Sequence, residues 1–114
     1  MPRRFWNNKT SWLLYDREKM KKIIILIPVY NDWESLNKLL SEINENIKSF
    51  SDINFECLIV NDASTIQSSE FKKPSNFSSI ELLNMKDNRG HARCNAFGIR
   101  YAFKNKEFDN LILM

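Results

Sequence analysis

Two short polar runs hold residues able to recognise a ligand: Tyr30-Asn31-Asp32 and Asn61-Asp62-Ala63-Ser64. A carboxylate such as Asp62 accepts hydrogen bonds from a base N–H or a ribose hydroxyl. A ring such as Tyr30 stacks on a base face, a contact worth on the order of 1–3 kcal/mol. Because a carboxylate repels phosphate, Asp62 suits the nucleoside end of a ligand. Taken singly, Asp32 and Asp62 also suit caps of helices or turns. Their common position, each directly behind an apolar run, favours a shared site.

Ile23-Ile24-Ile25-Leu26-Ile27, just before the first of these runs, is too short for a membrane span and suits a strand buried on both faces, as in a parallel sheet. Pro28 lacks a backbone donor, so regular pairing is expected to stop about there, with Tyr30, Asn31 and Asp32 at the strand's carboxyl end. In open α/β sheets that edge is where ligands sit. A helix is predicted from about Trp33 to Ile47, because Trp33, Leu36, Leu40, Ile43 and Ile47 recur at three- and four-residue steps. Asn31 followed by Glu34 resembles a capping box at its start. Phe55–Val60 is the second strand, and strand, helix, strand makes a right-handed, parallel βαβ unit. Parallel neighbours lie about 4.8 Å apart, so the two polar runs face one crevice.

Residues 65–79, with Pro74, form a loop that includes a helical turn around Ser69–Lys72. Ile80–Asn84 is a third, weaker strand and Lys86–Gly90 a turn. A second helix covers about His91–Lys104, with Ala92, Ala96, Ile99 and Phe103 as its buried stripe. Leu111–Met114 begins a fourth strand, so the domain is expected to be truncated.

At 114 residues the chain is one domain at most. Its 43% hydrophobic and 27% charged residues describe a soluble globular chain. The formal charge of +3, with basic residues scattered outside the first 22 positions, gives no argument for nucleic acid. Cys57 and Cys94 lack metal-type spacing and read as buried, reduced thiols, as in a cytoplasmic compartment. Gly90 and Gly98 are the only glycines, which excludes both a G-x-G-x-x-G dinucleotide turn and a G-x-x-x-x-G-K-[ST] phosphate loop. Residues 1–20 form a basic N-terminal extension carrying Arg3, Arg4, Lys9, Arg17 and Lys19 among Trp6, Trp12 and Tyr15. It has no secretory apolar core, and fits either a poorly ordered tail or a segment resting on an anionic membrane surface.

Ile27-Pro28-Val29-Tyr30-Asn31-Asp32, Val60-Asn61-Asp62-Ala63-Ser64, and Asn88-Arg89-Gly90-His91-Ala92-Arg93 through Gly98 resemble, in order and spacing, the start of a family 2 glycosyltransferase. The form Gly90-His91-x-Arg93-x-x-Ala96-x-Gly98 is most similar to the branch of dolichyl- or polyprenyl-phosphate sugar transferases. The resemblance covers residues 21–114. It implies a Rossmann-like GT-A fold, of which this chain is the N-terminal half: a mostly parallel sheet in a three-layer α/β/α arrangement. It also implies an enzyme moving a sugar, with inversion, from a UDP- or GDP-sugar to a glycan or polyprenyl-phosphate acceptor at the inner face of the cell membrane.

In the family the positions matching Pro28, Tyr30, Asp32, Val60 and Asp62 surround the nucleoside, and those matching Gly90 and Arg93 lie near the donor at a helix start, where backbone N–H groups and a cation favour an anion. Asp32 stands where many members have Glu, and Asn61 where Asp is frequent. His91, the single histidine, reads as a turn or capping residue. Members carry an Asp-x-Asp signature after the fourth strand that holds Mg2+ or Mn2+ against the donor diphosphate, and these 114 residues contain neither it nor an identifiable general base. The chain alone is therefore expected to be inactive. The alternatives are a non-catalytic remnant that binds nucleotide or a partner through an exposed sheet edge, and a nucleotidyltransferase, which the missing glycine-rich phosphate loop disfavours.

Overall fold

A computed structural model describes residues 20–68 and 73–114. Its elements are β1 (Lys21–Val29), α1 (Trp33–Ile47), β2 (Ile53–Asn61), β3 (Ser79–Asn84), α2 (His91–Asn105) and β4 (Asn110–Leu113). The strands form one sheet in the order β3-β2-β1-β4, and every pairing is parallel. The helical turn expected around Ser69–Lys72 lies outside the described residues, as does the basic extension up to residue 19.

Side chains alternate across the two central strands with the period of two that a pleat imposes. Ile25, Ile27 and Val29 of β1 and Phe55, Cys57 and Ile59 of β2 face α1, whose Trp33, Leu36, Leu40, Ile43 and Ile47 are all buried against them. Ile24, Leu26, Leu58 and Val60 face the other way and meet Cys94 and Ala102 of α2. The result is three layers, α1 over the sheet over α2. The handedness of parallel crossovers explains it: β1 to β2 moves one way along the sheet and β3 to β4 the other, so right-handed connections place the two helices on opposite faces.

Two expectations change. Pairing does not stop at Pro28: β1 continues through Val29, with Pro28 opposite Val60 and Val29 opposite Asn61. Backbone groups point alternately to the two neighbouring strands. Leu26 O accepts from Met114 N on the β4 side and Val29 O from Asp62 N on the β2 side, so the position of Pro28 faces β4. The β1–β4 register ends at Leu26, and the missing N–H therefore costs no ladder bond.

The stripe of α2 also differs. Ala92 and Phe103 are exposed, and Ala96 and Ile99 are half-buried, while Cys94, Gly98 and Ala102 are buried. Small residues let α2 sit close on the sheet. A Cβ on Gly98 would stand 2.6 Å from Leu26 Cδ1 and 3.0 Å from Val60 Cγ2.

Candidate functional site

The sheet order reverses between β1 and β4, because the chain winds from β1 outward to β3 and returns to the far side of β1. At the carboxyl edge of such a switch point the two flanking connections part and leave a crevice. A cavity of about 310 Å3 lies at that end of β1, lined by residues that include Pro28, Tyr30, Asp32, Ser35, Leu39 and His91. The end of β1, the first turns of α1 and the start of α2 all contribute to it.

Asn31 anchors the rim. It takes a left-handed conformation (φ 62°), which asparagine tolerates better than most residues. Its N–H donates to Ser64 Oγ at 2.8 Å, and its Oδ1 accepts from the backbone N–H groups of Thr65 and Ile66, each at 2.8 Å. Asn61 continues the chain of contacts, accepting from Ser64 N at 3.0 Å and donating to Asn84 Oδ1 at 2.9 Å. The carboxyl ends of β1, β2 and β3 are thereby stitched into one surface.

Asp62 binds the third loop. It is 3% exposed, and its Oδ1 accepts from Arg89 N at 2.8 Å while Oδ2 accepts from Gly90 N at 3.0 Å. This fixes the entry to α2, where Gly90 adopts a φ of 84°. Nothing lies within 4 Å of a Cβ at Gly90, so glycine is needed there for its backbone angle and not for space. Among the described residues no side chain caps α2, so its first N–H groups have no capping side chain there.

The residues singled out in the sequence are therefore distributed. Pro28, Tyr30 and Asp32 line the cavity. Asp32 is also the N-cap of α1, accepting from Ser35 N at 3.2 Å. The expected Asn31–Glu34 capping box does not form, because the Asn31 side chain is held by Thr65 and Ile66. Val60 is wholly buried beneath α2. Gly90 adjoins Asp62. Arg93 lines a separate depression with Arg89 and Arg100. His91, read in the sequence as a turn or cap, is the first residue of α2 and forms part of the cavity wall. Its place directly after a helix-starting glycine was the available signal.

Among the described residues no three His, Cys, Asp or Glu side chains cluster as metal ligands. Asp32, which lines the cavity, and the buried Asp62 hold backbone N–H groups instead. These residues do not fit a Mg2+ or Mn2+ site, and no step through a metal follows from them. Among the described residues no helix is long and apolar enough to cross a membrane.

The architecture defines a parallel α/β domain with a crevice at its switch point, in the manner of a Rossmann-like GT-A half-domain. Comparison with protein families matches residues 24–105 to glycosyl transferase family 2, and the chain belongs to that family. No match was found among curated proteins or among solved structures.

Proposed function

We propose that this chain binds the nucleoside end of a UDP- or GDP-sugar and serves an inverting glycosyl transfer in the synthesis of polysaccharide, lipid-linked sugar or another cell-envelope glycan at the cytoplasmic face of the membrane. The observation that carries the reading is the cavity at the switch point, with Tyr30, 41% exposed, on its wall. Tyr30 stacks on the base. Asp62 is 3% exposed with two of its roughly four lone-pair sites taken by backbone, so it accepts from base or ribose only once the loops around it part. The uncapped start of α2 lies on the phosphate side, where backbone N–H groups attract an anion. The pattern Gly90-His91-x-Arg93-x-x-Ala96-x-Gly98 supports a polyprenyl-phosphate acceptor.

This chain then serves the binding step, and none of its residues is given a catalytic role. The Mg2+ or Mn2+ expected of the reaction would draw its ligands from outside the residues described.

Titration calorimetry of the full chain with UDP, GDP and ADP tests the reading. Saturable binding of UDP or GDP above ADP is expected, with Tyr30→Ala weakening it by on the order of 1–3 kcal/mol. Absence of binding by both nucleotides, or an unchanged affinity for Tyr30→Ala, would overturn it. With Mg2+ or Mn2+ present, the chain alone should turn over no sugar nucleotide; measured transfer would contradict that assignment.

A further inference from the structure

The basic residues that look scattered in the sequence are gathered by α2. At about 100° per residue, Arg93, Phe97, Arg100 and Lys104 fall on one helical face, opposite the buried Cys94, Gly98 and Ala102. The three cations are exposed and make no ion pair among the described residues. Phe97 and Phe103 are 37% and 72% exposed, which places two large apolar rings on or beside a charged surface. Phe103 makes an edge-on contact with Phe108 at a centroid distance of 5.2 Å. A depression of about 370 Å3 lies along this flank, with Met85, Ala96 and Phe97 supplying apolar lining and Arg89, Arg93 and Arg100 the charge. Arg89 is the partly neutralised member, 3.4 Å from Asp87. From residue 86 to 104 there are five Lys or Arg and one acidic residue, Asp87. His91 lines the donor cavity, whereas Arg93, two positions on and so about 200° around the helix, lines this flank.

We propose that the outward face of α2 is a peripheral contact with an anionic phospholipid bilayer: phosphate headgroups occupy the arginine-lined depression, and Phe97 and Phe103 enter the boundary between headgroups and acyl chains. The cations run along the middle of the outward face with Phe97 to one side and Phe103 to the other, the combination of residue types that interfacial helices carry. Its 15 residues give a length of about 22 Å lying in the membrane plane. Guanidinium groups are suited to phosphate oxygens. The lining beside them is Met, Ala and Phe, without the Asn, Gln or Ser side chains that read base edges, which favours lipid over nucleic acid. The inference does not depend on the donor-site reading.

Vesicle co-sedimentation of the full chain tests it, using vesicles of equal parts phosphatidylglycerol and phosphatidylcholine, vesicles of phosphatidylcholine alone, and a single-stranded oligonucleotide. Binding to the anionic vesicles, absent from the neutral ones and reduced by salt, is expected. Arg100→Gln with Lys104→Gln should weaken it by on the order of 30-fold, since each basic residue near such a surface contributes a factor of about five. Phe97→Ser with Phe103→Ser should remove the part of binding that resists salt. All four positions are on the outward side of the helix, and unchanged circular dichroism would show that the variants fold. If the Gln variant binds as well as the parent, the contact lies elsewhere on the chain and the proposal fails. Equal binding to neutral vesicles, or tighter binding to the oligonucleotide, would also overturn it.

Discussion

Asp62 holds two backbone N–H groups with one carboxylate, in a position almost closed to water. Replacing one oxygen with an amide would set an NH2 against a backbone N–H and leave a buried donor without an acceptor. Asp62→Asn should therefore lower stability by about 1–3 kcal/mol, read as a shift in the urea midpoint at constant slope. Asn31→Gly separates the two roles of its neighbour in the rim: the left-handed backbone is kept, while the acceptor for Thr65 and Ile66 is lost. A carboxylate directly behind the second strand is legible in the sequence at Asp62. Its grip on Arg89 and Gly90, 27 and 28 positions away, is not, because no local pattern reports a side chain meeting distant backbone amides. Asp32 and Asn31 show the same limit at closer range. Either can cap a helix, and what decided between them was the pull of the β2 loop on Asn31.

The helix α1 was legible to its ends because its apolar residues are large and periodic. The second helix was legible in its bounds, about His91–Lys104 against the observed His91–Asn105, but not in its buried face, and the reason lies in what its sheet requires. Hydrophobic weight in the sequence favours Ala92, Ala96, Ile99 and Phe103, whereas close approach to Leu26 and Val60 selects Cys94, Gly98 and Ala102. Gly98→Ala tests this packing. Alanine is better than glycine in a helix by about 1 kcal/mol, but the added methyl meets fully buried side chains, and overpacking costs about 1–3 kcal/mol. Net destabilisation is expected in thermal unfolding; a rise in Tm would mean that α2 can lift freely. The far end of α2 is tied by charge. Lys106 bridges Glu81 at 2.9 Å and Glu56 at 3.5 Å, and Tyr101 donates to Glu81. Partial burial acts to raise the Glu81 pKa, but hydrogen bonds from Tyr101 and Lys106, with the Lys106 charge, outweigh it and hold the carboxyl below its ordinary 4.5. A depressed folded-state value contributes stability that is present above the ordinary value and is lost as pH falls through the folded one. Glu81→Gln should thus flatten the acid limb of a stability-versus-pH curve, a small effect for so solvent-accessible a group.

At the scale of the whole molecule, two apolar strand runs and one amphipathic helix made the parallel, doubly wound topology legible, and with it the edge where a ligand would sit. Helical periodicity alone puts Arg93, Arg100 and Lys104 on one face of α2, but the sequence did not reveal that this face points outward, because that depended on knowing which side of α2 meets the sheet. The three-layer plan also separates the two thiols. Cys57 lies in the layer with α1 and Cys94 in the layer with α2, both as free cysteines. Burial pushes the Cys57 thiol up to about 12, and burial with the neighbouring Asp62 charge pushes Cys94 up to about 11. At neutral pH neither offers much thiolate, so an alkylating reagent reaches each only when its own layer opens. Among the described residues the layer against α2 contains six buried residues, where that against α1 contains twelve, and Cys94 should accordingly be labelled first, as mass spectrometry of native-state alkylation would show. The sheet then acts as a partition between two compartments that loosen on separate clocks, and equal labelling rates would mean that the molecule opens only as one piece.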